Sequence, residues 1–179
     1  LGTTLIFAAD DGTNGHELWK SDGTEAGTVI VKNINPGGDA SIDYMTAFNG
    51  AVYFRANDGT NGSELWKTDG TNAGTEMVAN INPGASSSNI HSLSVVGTTM
   101  YFSAQNGTNG DELWKSDGTG AGTTIVRDIN PGANSSQIDD MVAYNGEAYF
   151  RANDGTNGSE LWKSDGTSGG TVMVADING

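Results

Sequence analysis

The sequence predicts an all-β fold assembled from repeated small sheets, on the strength of three observations. Glu-Leu-Trp-Lys occurs four times, at residues 17–20, 64–67, 112–115 and 160–163, at intervals of 47, 48 and 48 residues. Clusters of Gly, Asn, Asp and Ser recur at matching offsets around it, the chemistry that hairpin turns with positive φ require. No stretch spaces its apolar residues at the helical period beyond about one turn.

Each copy carries the same frame. An apolar stretch ends in Phe7, Phe54, Phe102 or Phe150, ten residues before the Glu. A Gly-Thr-Asn-Gly turn follows, then the Glu-Leu-Trp strand, then Asp-Gly-Thr-x-x-Gly-Thr starting at Asp22, Asp69, Asp117 and Asp165. A fourth apolar strand leads to Ile-Asn, with Pro-Gly after it in the first three copies. In the third copy the strands are expected at 92–96, 100–104, 111–116 and 123–128. Copies two and four are identical over 55–67 and 151–163, so a two-unit block reads as the duplicated element. Copies one and three have Gly-Thr-Thr at Gly2 and Gly97, which reads as a turn one residue longer than in two and four.

Four strands in 40–50 residues, repeated with an aromatic motif, is the signature of a β-propeller blade. The fold expected is therefore a β-propeller of four-stranded antiparallel blades, with repeats 1–48, 49–96, 97–144 and 145–179 in a single repeat domain. A β-helix repeats faster than this, and a sandwich has no reason to repeat its sequence. Blades bury both faces, which explains adjacent Leu18 and Trp19 pointing to opposite sides of one strand. Trp19, Trp66, Trp114 and Trp162 are expected in the core, each ring stabilising by about 2–3 kcal/mol. Leu1 enters in mid-pattern and the first unit lacks its entry strand, so the chain reads as part of a longer protein or assembly, with self-association through that incomplete unit expected.

Composition narrows the function. The 179 residues carry 27 Gly, no Cys and a net charge of −14. Such an acidic chain lacks the cations to neutralise a nucleic-acid backbone or to bind an anionic membrane surface, and no apolar run reaches the ~20 residues that span a bilayer. Disulfides and thiol chemistry are excluded.

The motif Glu-Leu-Trp-x-x-Asp-Gly-Thr followed by x-x-Gly-Thr, intact in all four copies, resembles the ELWxxDGT repeat proteins of bacteria. The resemblance covers the whole chain. It implies an extracellular or cell-surface location and a role in adhesion or scaffolding, with no activity assigned to the motif itself.

Candidate chemistry is sparse. Glu17, Glu64, Glu112 and Glu160 open strands after the Asn-Gly turn, where each carboxylate is expected to accept turn amides or pair with a cation of a neighbouring blade. Asp11, Asn14 and Glu17 offer three oxygen ligands within seven residues, as do Asp58, Asn61 and Glu64, and Asp154, Asn157 and Glu160. These are calcium candidates, against the alternative of plain turn geometry. The third copy has Asn106 in place of the Asp. The Asp of each Asp-Gly-Thr is expected to cap its own turn. His16 and His91 occupy non-equivalent positions, read as exposed loops, and belong to no nucleophile or zinc motif, so no enzymatic activity and no cofactor are expected. Variable polar segments at 37–41, 84–89 and 132–137 are expected on the same side as the Gly-Thr-Asn-Gly turns, forming a surface for a protein or, alternatively, a glycan partner.

Overall fold

The computed structural model describes residues 1–177; Asn178 and Gly179, the end of the fourth repeat, lie outside the described residues. Its elements are fifteen β-strands, with no helix among the described residues. They form four antiparallel sheets in which sequential strands are neighbours. The first sheet has three strands, β1 (Leu5–Asp10), β2 (His16–Ser21) and β3 (Val29–Lys32). The second has β4 (Asp43–Phe48), β5 (Ala51–Asn57), β6 (Ser63–Thr68) and β7 (Glu76–Ala79). The third has β8 (His91–Val96), β9 (Thr99–Ala104), β10 (Glu112–Ser116) and β11 (Thr124–Arg127). The fourth has β12 (Asp139–Tyr144), β13 (Glu147–Asn153), β14 (Ser159–Ser164) and β15 (Val172–Ala175). A sheet therefore begins one strand before the repeat as counted from residue 1.

The chain divides into two compact units, Leu1–Ser87 and Ser88–Gly179, each holding two sheets. In the first unit, Leu18 and Val31 of the first sheet, with Ile34 of the linker after it, pack with Val52, Phe54 and Trp66 of the second. In the second unit, Leu113, Val126 and Ile129 pack in the same way with Ala148, Phe150 and Trp162. One face of a sheet thus presents a Leu-Val-Ile set, and the opposite face of its successor presents a small residue, Phe and Trp. The register explains the pairing of Phe and Trp on one face, since Phe54 lies directly across from Trp66 and Phe150 across from Trp162. Opposed residues share a face because side chains alternate along each strand.

Two bulges recur. Between the third and fourth strands the register slips after Leu18, Leu65, Leu113 and Leu161. The extra residue, such as Val31 or Val126, is turned into the core. The entry strand slips between Asp43 and Thr46, His91 and Ser94, and Asp139 and Val142. There Tyr44, Ser92 and Asp140 hold positive φ, which sharpens the bend that carries the chain into its sheet.

The turn after the entry strand has two residues in every complete sheet, Asn49-Gly50, Gly97-Thr98 and Asn145-Gly146. The longer turn expected at Gly97 is not found, because its Gly occupies the first turn position rather than the second. The residue that separates a 47-residue interval from a 48-residue one lies in the linker between sheets, which runs from 33 to 42 in the first case and from 80 to 90 and 128 to 138 in the others.

Candidate functional site

The motif residues sort to the two ends of the sheets. At one end the Asp-Gly-Thr turn joins the third strand to the fourth. Asp22 Oδ1 accepts the Thr24 amide (2.9 Å) and hydroxyl (2.7 Å), and the Thr24 hydroxyl oxygen accepts the Gly27 amide (3.0 Å). Thr28 donates its hydroxyl to the Thr24 carbonyl (2.6 Å). The same set recurs from Asp69, Asp117 and Asp165. The second Gly of the motif is needed because a Cβ at Gly27, Gly74, Gly122 or Gly170 would overlap the capping carboxylate. These bonds, the Thr hydroxyl first, hold the Asp22, Asp69, Asp117 and Asp165 carboxyls below the usual range.

At the other end, Asp11 Oδ1 accepts the amides of Thr13 (2.9 Å) and Asn14 (2.8 Å), while the Asn14 side-chain amide donates to Asp11 Oδ2 (2.7 Å). Asp58 and Asp154 repeat this at the same distances. Asn106 performs the same function in the third copy, its Oδ1 accepting the Thr108 and Asn109 amides at 3.0 and 2.8 Å. A neutral amide replaces the carboxylate without changing the turn, so turn geometry rather than charge selects the residue.

Glu17, Glu64, Glu112 and Glu160 lie elsewhere, buried in the sheet interior. Each Oε2 accepts a backbone amide seventeen residues downstream, from Ile34 (2.5 Å), Ile81 (2.7 Å), Ile129 (2.6 Å) and Ile177 (2.7 Å). The Glu therefore ties the linker that leaves the fourth strand back to the third. The amide acceptor role anticipated for these residues is found, with linker donors in place of turn donors. Burial pushes the Glu112 carboxyl up to about 7, against the pull of the Ile129 amide. The three residues of each candidate calcium set are thus divided between two environments: Asp and Asn bond one another in an outer turn, and Glu bonds the linker amide inside the sheet.

The linkers and the Gly-Thr-Asn-Gly turns do share one end of the sheets. The His16 amide donates to Asp39 Oδ1 (2.9 Å), the Ser63 amide to Ser87 Oγ (3.0 Å) and the Asp111 amide to Ser135 Oγ (3.0 Å). Asn35, Asn82 and Asn130 bracket the linkers by donating side-chain amides to the carbonyls of Asp39, Ser87 and Ser135. What is left exposed is each linker tip, residues 36–39, 83–86 and 131–134. His16 and His91 head strands β2 and β8 instead of standing in loops, and the His91 ring contacts the Asn89 carbonyl at 2.7 Å. Trp66, Trp114 and Trp162 are buried, whereas Trp19, in the three-stranded sheet, is only half-buried.

Sequence reading did not foresee a set of cationic latches. Lys20 Nζ donates to the Gly70 carbonyl (2.9 Å) and Lys115 Nζ to the Gly166 carbonyl (2.8 Å), each reaching the Asp-Gly-Thr turn of the following sheet. Lys32 Nζ donates to the Thr75 carbonyl (2.7 Å) and the Arg127 guanidinium to the Thr171 carbonyl (2.5 Å). Ala79 and Ala175 stand where Lys32 and Arg127 would be. That alternation was the available signal.

Similarity to solved structures places this arrangement. A prolyl endopeptidase matches at TM-score 0.59 and 16% identity over 96% of this chain and 24% of its own. A puromycin hydrolase matches at 0.59 and 14%, over 96% and 29%, and prolyl oligopeptidase B from Galerina marginata at 0.53 and 10%, over 96% and 24%. The chain spans about a quarter of the length of these proteins, over their propeller domain. The sheets are propeller blades. No family model matches the chain, and no curated protein does. At such identities the likeness concerns the fold of the blades, built here on one repeated motif.

Proposed function

We propose that the chain is a non-enzymatic structural or adhesive β-propeller module of an extracellular or cell-surface protein, presenting its linker tips to a protein partner. One observation supports this above the others. The motif carboxylates and amides are engaged in holding the frame, by bonds repeated from blade to blade, while the exposed tips Pro-Gly-Gly-Asp, Pro-Gly-Ala-Ser and Pro-Gly-Ala-Asn differ in their last two positions. A rigid frame with varied polar loops at one end is the arrangement on which recognition is usually built. The test is retention of the purified chain on intact cell surfaces, with Ser86→Arg and Asn134→Arg lowering retention and folding unchanged. Absence of retention on every surface would overturn the reading. The same polar tips support a lectin-like alternative, which a glycan array separates: selective binding to one glycan class would replace the protein partner with a sugar.

A further inference from the structure

We infer that the outer face of the fourth blade is a docking surface for the first blade of a second copy of this chain. The repeat itself shows what covers such a face. Leu18, Val31 and Ile34 of the first blade are buried against the second blade, and Leu113, Val126 and Ile129 of the third are buried against the fourth. Their equivalents on the fourth blade are Leu161, Val174 and Ile177, which are 38%, 46% and 74% exposed. Around Leu161 and Ile177 lies a hollow of about 270 Å³, lined also by Val142, Tyr149 and Arg151. Exposed large apolar side chains grouped in this way mark an interaction surface.

The complementary face is also uncovered, on the first blade. Val52, Phe54, Ala56 and Trp66 are the residues that receive the Leu-Val-Ile set in the first unit. Their equivalents are Leu5, Phe7, Ala9 and Trp19, with Leu5 63% exposed and the other three half-buried. Phe7 lies directly across from Trp19, as Phe54 does from Trp66, so the receiving surface is already formed. One chain therefore carries both halves of an interface it makes twice internally, each half on a different blade. Contact between them is head-to-tail, the heterologous type that joins copies through unlike surfaces.

A polar contact follows from the same equivalence. Lys20 and Lys115 each reach the Gly carbonyl of the next Asp-Gly-Thr turn. Lys163, the fourth-blade equivalent, instead bonds Glu147 of its own blade at 3.0 Å. In the complex Lys163 Nζ donates to the Gly23 carbonyl of the second copy.

The test is molar mass by light scattering at micromolar chain concentration, beside Leu161→Asp and Leu5→Asp, both at exposed positions where an added charge leaves the blade intact. The wild-type chain is expected to run at a multiple of its 18.5 kDa mass, and each variant at the single-chain value. An equimolar mixture of the two variants is expected to associate again, because one retains the receiving face and the other the outer face. Circular dichroism identical to wild type establishes that the variants are folded. Should either variant fail to fold, Lys163→Ala serves, with an expected loss of affinity of about threefold to tenfold. A wild-type chain at the single-chain mass overturns the proposal, as do variants that stay associated or a mixture that does not re-form.

Discussion

Residues 55–67 and 151–163 are the same thirteen amino acids in the same order, and they fold alike but are not buried alike. In both, Phe pairs across from Trp and Arg across from Leu, and in both the register slips after the Leu. Leu65 is nevertheless fully buried while Leu161 is 38% exposed, and the Arg55 side chain is half as exposed as that of Arg151. Local sequence settles strand, turn and register. What a side chain contributes to stability is decided by its surroundings, as the equivalent Leu113 shows: packed with Ala148, Phe150 and Trp162 of the fourth sheet, it is fully buried.

The comparison can be broken most sharply at the leucines. At dilutions where single chains prevail, Leu113→Ala is expected to destabilise by about 2–5 kcal/mol, the cost of an enclosed cavity, whereas Leu161→Ala should cost about 1 kcal/mol or less. Equal losses in urea titrations at that dilution would break the contrast. The glycines give the reverse test. Gly74→Ala and Gly170→Ala each drive a Cβ into the turn carboxylate, an event internal to the turn, so both should cost about 1–3 kcal/mol and cost the same. Unequal losses would mean that the turn depends on its neighbours.

A smaller effect separates the buried Glu from the turn Asp. Glu112 keeps its proton in the folded chain up to about 7 and releases it near the ordinary 4.5 when unfolded. Between those values the folded state binds more protons, so stability is greatest at the lower end and declines as pH rises through the window. Asp11 and Asp22 behave oppositely. Bonds from the Asn14 amide and from the Thr24 hydroxyl and amide hold their carboxyls below the ordinary 3.8, so their contribution is complete above that value and is lost as pH falls through the lowered one. The melting temperature should therefore rise from neutral pH to about 4.5 and fall below about 4. Glu112→Gln should shrink the upper limb without abolishing it, since burial also raises the Glu17 carboxyl, and should leave the lower limb alone; an upper limb unchanged by that substitution would sink the assignment.

Much of the architecture was legible because turn chemistry is local. Gly, Asn and Asp mark the hairpins, and the spacing of Phe, Trp and the fourth apolar run places the strands of all four sheets. The linkers and the Gly-Thr-Asn-Gly turns were likewise foreseen on one end. Other features depended on which sheet follows which. The amide that Glu17 accepts belongs to Ile34, in a linker whose path no short motif encodes. Trp19 reads like its equivalents in sequence, yet Trp66 and Trp162 pack with the preceding sheet of their own unit and Trp19 is only half-buried. The calcium candidates looked convergent along the chain, but a strand turns Glu17 inward while Asp11 stays in the outer turn.

Strand order has a consequence for how the chain reaches this state. Every strand bonds the one before or after it, through connections short enough that no partner is distant in sequence. Folding rates rise as such separations shrink, because less loop entropy is lost before contacts form. A sheet can assemble as soon as its own residues have left the ribosome, and the latches of the first and third sheets need only one further repeat of synthesis. Lengthening the protein by duplication would then leave its folding time almost unaltered.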